Sequence, residues 1–186
     1  MLNRNIGKFF SLPFEAPPAG VGRCTGFHAQ CWPRRGLRSG AIRFPRLIVY
    51  LVDTDVISEA RKGANGNVGV REFFDNASQN NAALFLSAIT IGELRQGVEK
   101  IRHRGDSAQS ARLERWLDRV ISEFGDAILP FDLEVAQIWG KLRVPHPENP
   151  IDKQIAATAL IYDLTVVTRN TDHFAPTGVP IVNPFS

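Results

Sequence analysis

Four acidic residues stand where the chain passes between apolar runs and helical patterns, and that placement is the first sign of chemistry. Asp53 closes the apolar run of residues 47–59, LIVYLVDTDVISE. Glu93 lies early in AITIGELRQG, Asp152 follows Asn149-Pro150-Ile151, and Asp172 comes just after LTVVTRNT. Each acid alone has a plain structural explanation, because a carboxylate in a first helical turn favours the macrodipole and a short one caps the helix end. Together they say more. Parallel strands joined by right-handed crossovers point their carboxyl ends the same way, so acids placed after several strands can converge. Carboxylates gathered in one crevice repel one another, and either protons or a cation must reside among them. Oxygen-only ligands select a hard ion, so magnesium or manganese is expected rather than zinc or copper. Such a site suits phosphodiester hydrolysis, in which the ion polarises the phosphate, lowers the pKa of an attacking water and steadies the leaving oxygen.

The elements that must carry these acids follow from periodicity. The run LIVYLV shows no period-two alternation, which predicts a strand covered on both faces, as in a parallel sheet between helices. Ligands of open α/β sheets bind outside the carboxyl ends of the strands, where Asp53 falls. A short helix is expected over residues 56–62, capped by Thr54 or Asp55, then a turn through the glycine-rich residues 63–69. Residues 68–77 predict a helix with Val70, Phe73 and Phe74 inward, and residues 82–87 a second covered strand. Ile91, Leu94, Val98 and Ile101 mark an amphipathic helix whose early turns lie beside that strand's end. A second stripe follows in Leu113, Trp116, Leu117, Val120, Ile121 and Phe124. Arg112, Arg115 and Arg119, with Lys100, Arg102 and Arg104, form the one local basic surface of this region, either a solvated face or a phosphate-contacting strip. A third strand is expected over residues 127–131, then Asp132 as N-cap of a helix with Val135, Ile138, Trp139 and Leu142 inward. Asn149 and Pro150 are helix-start signals that make Asp152 the third residue of the next helix. Residues 164–168 complete the pattern as another buried strand.

Length and composition, 186 residues with 44% hydrophobic and 22% charged, suit one globular domain and some surplus. No run of about 18 apolar residues occurs, so a soluble chain without a membrane span is expected. The overall charge of +3 hides a split. Residues 1–46 set Arg4, Lys8, Arg23, Arg34, Arg35, Arg38, Arg43 and Arg46 against Glu15 alone, a balance of +7, while residues 47–186 carry 14 basic and 18 acidic residues, a balance of −4. The folded part therefore does not attract nucleic acid by bulk charge, and a local basic strip or a bound cation must do so. Residues 1–46 are also rich in proline and glycine and lack a sustained pattern, which predicts an unfolded extension. A start downstream, at Val49, would leave it out of the natural protein. Cys24, His28 and Cys31 lack a nearby fourth zinc ligand, and the cysteine-free remainder fits a reducing cytoplasm.

The four acidic stretches LVDTDVISE, SAITIGELRQG, NPIDKQIAATAL and VVTRNTDHF, in this order, resemble the PIN-domain ribonucleases, and among them the VapC toxins of toxin–antitoxin pairs. The likeness covers residues 47–186. It implies a PIN-like three-layer α/β/α fold with a central, mostly parallel sheet of four to five strands. It further implies a cytoplasmic, metal-dependent endoribonuclease acting on structured RNA, transfer RNA included, silenced by a cognate antitoxin and forming homodimers. By the same resemblance Asp53 and Asp152 are the direct ligands of Mg2+ or Mn2+, Glu93 and Asp172 complete or orient the site, and Thr54, Thr168 and Asn170 support it. The family usually has Asn where this chain has Asp55, an acid read here as a helix cap. Two alternatives stay open. Asp53-Thr-Asp55-Val-Ile nearly fits the nucleophile motif of haloacid dehalogenase-like phosphatases, although the lysine and later acidic pair of that chemistry are not evident. A PIN-like module that binds RNA or protein without turnover is the other.

Overall fold

A computed structural model of the chain describes residues 48–185. The basic extension and the Cys24, His28 and Cys31 cluster lie outside the described residues. Five strands, β1 (Val49–Val52), β2 (Ala83–Ser87), β3 (Ile128–Leu129), β4 (Thr165–Val167) and β5 (Ile181–Val182), form one sheet in the order β3-β2-β1-β4-β5. Every neighbouring pair is parallel. The chain starts at the centre, moves outward through β2 and β3, and then crosses to β4 on the other side of β1. The direction of winding thus reverses between β1 and β4, which opens a crevice at their carboxyl ends.

The central strands alternate between two cores. Leu51 and Val166 face one side, packed with Leu129, Ile155, Ala156, Ala159 and Phe174. Val52 and Val167 face the other, packed with Val56, Ile57, Val70, Phe74, Leu86, Leu94, Val98, Leu117 and Val120. Helices on the second side are α1 (Thr54–Ala60), α2 (Val68–Gln79), α3 (Ala88–His103) and α4 (Ser107–Phe124). Helices α6 (Pro150–Tyr162) and α7 (Thr171–Phe174) supply the first, with α5 (Leu133–Leu142) laid against α6. The result is the expected three-layer α/β/α arrangement. Each fully buried Leu, Ile or Phe contributes about 1.5–3 kcal/mol relative to exposure, so two such clusters supply most of the drive to fold.

Local differences from expectation have local causes. Helix α1 begins at Thr54 because Asp53 itself is the N-cap, its Oδ1 accepting from the Thr54 N–H at 2.7 Å, so neither Thr54 nor Asp55 is the cap. Helix α4 begins well before the Leu113 stripe, since Asp106 caps it by accepting from the Gln109 N–H at 2.8 Å. Asn149 stands at the N-cap position of α6 but is left-handed (φ 49°) and makes no side-chain cap bond. Of the residues expected inward on α5 only Val135 is buried, because that helix packs on α6 rather than on the sheet. Asp132 caps α5 as expected, accepting from the Val135 N–H at 3.0 Å. Residues 63–65 form a single 3₁₀ turn, with Gly63 at φ 55°, where L side chains are disfavoured. The basic surface is partly neutralised: Arg102 pairs with Glu99 and with Glu114 (2.7 Å), and Arg95 reaches Glu114 at 2.9 Å, tying α3 to α4. Among the described residues no helix is long and apolar enough to cross a membrane.

At Gly69, in the first turn of α2, a Cβ would run into the carbonyl oxygen of Pro184. Alanine is intrinsically better than glycine in a helix by about 1 kcal/mol, yet overpacking against a backbone atom costs about 1–3 kcal/mol. Gly69→Ala is therefore expected to lower stability in the full chain and to lose that penalty in a chain ending at Asn183, as measured by urea midpoints.

Candidate active site at the sheet edge

Asp53 continues β1 by one residue. Its N–H donates to the Val167 carbonyl at 3.0 Å, which seats it beside Thr168, the residue after β4. The Thr168 hydroxyl donates to Asp53 Oδ2 at 2.6 Å, and the Thr168 oxygen in turn accepts from the Asn170 N–H at 2.9 Å. Asn170 thus supports the site through its backbone. Only 2% of Asp53 is exposed. Burial, opposed by the Thr168 bond and reinforced by the charges of Asp55 and Asp152, raises its pKa from the usual 3.8 to about 7.

Three more carboxylates share this edge. Glu93, on α3, accepts from the Thr54 hydroxyl at 2.5 Å through Oε2. Asp55, in the first turn of α1, accepts from the Arg169 N–H at 3.0 Å through Oδ2, with the Arg169 Nε 3.7 Å from the same oxygen. Asp152, in the first turn of α6, meets His173 Nδ1 at 2.7 Å through Oδ2. Burial holds Asp55 and Glu93 above the ordinary carboxylate range, and the charge of Asp152 pushes both further up. The carboxylates therefore sense one another as neighbours. Asp172, expected to complete the site, is exposed on α7, and among the described residues its side chain makes no hydrogen bond or ion pair. One helical step carries its neighbour His173 to Asp152 instead. Asp55 and His173 lie in the stretches LVDTDVISE and VVTRNTDHF, but only the fold brings them against Arg169 and Asp152.

A pattern runs through the set. In Glu93, Asp55 and Asp152 hydrogen bonds hold one carboxylate oxygen and leave the other open. For Asp55 the open atom, Oδ1, is buried without a hydrogen-bond partner. Among the described residues no three His, Cys, Asp or Glu side chains enclose an ion as they stand. The donor chemistry nonetheless fits a hard divalent cation: several carboxylate oxygens, mutual repulsion, and an orphaned buried oxygen that a cation would satisfy.

The model of the PIN domain family matches residues 50–178. The chain belongs to the PIN-domain family. It is 35% identical over 142 residues to a protein named toxin FitB from Neisseria gonorrhoeae, covering 74% of this chain and 99% of that one. A protein named VapC ribonuclease from Sinorhizobium fredii is 31% identical over 142 residues, covering 74% and 98%. The crystal structure of FitAcB from Neisseria gonorrhoeae superposes with a TM-score of 0.63 at 34% identity, covering 73% of this chain and 98% of that one. PIN-family membership displaces the phosphatase alternative, and Asp55, the second acid of that motif, is taken up by Arg169.

Because the folded pKa of Asp53 lies above its unfolded value, its contribution is most favourable below about pH 4 and is lost as pH rises through 7. A rise from 3.8 to about 7 corresponds to roughly 4 kcal/mol. Asp53→Asn keeps an acceptor for the Thr54 N–H and removes the titration. In chelator the variant should be more stable than the parent at pH 8, by up to about 4 kcal/mol, with the gap closing near pH 4. A gap that stays constant with pH, in denaturant titrations, would exclude this account.

Proposed function

We propose that the chain is a metal-dependent endoribonuclease and the toxin of a toxin–antitoxin pair, acting in the cytoplasm. The observation that carries this reading is the set of partly anchored carboxylates at the switch-point crevice of a PIN-domain chain. Its relatives include a protein named toxin and a protein named VapC ribonuclease. In this reading Asp53, Glu93 and Asp152 would hold a magnesium or manganese ion, with the open oxygen of Asp55 beside them. When bound, that ion supplies charge for the phosphate and a lowered pKa for the attacking water.

The chain's own residues set the stage for that chemistry. Thr168 and the Thr54 N–H fix Asp53 at the floor, so the deepest carboxylate needs no reorganisation. Thr54 fixes Glu93 from α1, and Arg169 braces Asp55 while keeping its guanidinium at the rim, where a phosphodiester backbone would pass. The inactive binding module is disfavoured, because a site that only gripped RNA would gain nothing from several buried acids facing phosphate. A cognate antitoxin as inhibitor, a homodimer and structured RNA such as transfer RNA as substrate belong to the same proposal.

The test is RNA cleavage by the full chain with Mg2+ or Mn2+, then with chelator, set beside a phosphate monoester. Expected are RNA cleavage abolished by chelation, a loss of more than about 100-fold in Asp53→Asn, and no monoester turnover. Cleavage that persists in chelator or in Asp53→Asn would overturn the proposal.

A further inference from the structure

We propose that His173 is a positioning residue of the metal-dependent nuclease site, serving Asp152 from the short helix that also carries Asp172. The inference rests on the metal-dependent reading given above. Each of the four clustered acids has one oxygen held by a group from another element: Asp53 by Thr168, Glu93 by Thr54, Asp55 by Arg169 and Asp152 by His173. Three of the four holders lie in the short segment 168–173, just beyond β4. That segment therefore orients three acids at once.

His173 completes the pattern in a way Asp172 does not. Successive helical residues differ by a 100° turn, so two neighbours on α7 do not face the same carboxylate. His173, though its side chain is 45% exposed, brings Nδ1 to 2.7 Å from Asp152 Oδ2, whereas the side chain of Asp172, also exposed, makes no hydrogen bond or ion pair among the described residues. A carboxylate accepts hydrogen bonds only, so the proton between them sits on Nδ1 and the imidazole donates. The bond fixes the rotation of the Asp152 carboxylate and leaves Oδ1 as its open oxygen. Partners that orient a ligating carboxylate in this manner are worth about 10–100-fold in metal affinity. An acid at position 173 would repel Asp152 rather than hold it.

The experiment is an Mn2+ titration of the full chain by calorimetry, with thermal melts in chelator alongside. His173→Ala should weaken Mn2+ binding by about 10–100-fold. His173→Asn, whose amide can donate from a similar position, should restore affinity close to the parent's. Asp172→Ala should bind as the parent does, and His173→Asp should bind no more tightly than the parent. If His173→Ala also melts lower, His173→Asn decides: parent-like affinity supports the role, and a loss equal to alanine's overturns it. Undiminished binding in His173→Ala, a comparable loss in Asp172→Ala, or tighter binding in His173→Asp, which would make the position a ligand, each overturns the inference alone. A parent chain that binds no Mn2+ overturns the metal-dependent reading together with it.

Discussion

Like charges forced together are the constraint around which the rest of this structure is arranged. Asp53, Asp55, Glu93 and Asp152 come from three separate stretches of the chain, and burial raises the first three above their ordinary range. Such a cluster opposes folding, so the surrounding scaffold must hold it with energy drawn from elsewhere. The two apolar clusters on either side of the sheet supply that energy, and the hydroxyls of Thr54 and Thr168 lower the penalty locally. A site of this kind is unfavourable by itself, and the cation proposed above would relieve that cost by neutralising it.

The scaffold meets the constraint through topology. Because β1 lies between β2 and β4, its carboxyl end is flanked on both sides, and Asp53 sits deep while Thr168 meets it across one strand pair. The alternation of Leu51 with Val52, and of Val166 with Val167, commits the two central strands to both cores at once. A shift by one residue would exchange the two faces and move Asp53 away from Thr168. Register, core and site are therefore fixed by the same few residues.

Much of this could be read from the chain itself. Unbroken apolar runs announced the covered strands, and acids placed after them announced the crevice, because both signals depend on spacing along one element. What escaped depended on contacts between elements. The two-residue strand β5 owes its existence to pairing with β4, so periodicity carries little trace of it, whereas β3 falls within the third strand expected over residues 127–131. Asp55 read as a cap because its role depends on Arg169, more than a hundred residues away. Asp172 and His173 are adjacent, polar and exposed, and only the packing of α7 beside α6 decides that His173 is the one to meet Asp152. Helix α5 has an apolar stripe, but its partner is α6 and not the sheet, a distinction that a stripe does not record.

Arg169 has a second attachment besides Asp55: its guanidinium lies over the ring of Phe185, 5.0 Å from the centroid. Phe185 also packs against the core around Val52, while the neighbouring Pro184 abuts Gly69. One side chain therefore links an acid of the crevice to the final turn of the polypeptide. The guanidinium that braces the crevice rim is thus also a packing surface for Phe185, so a change at Arg169 touches the acid and the tail together.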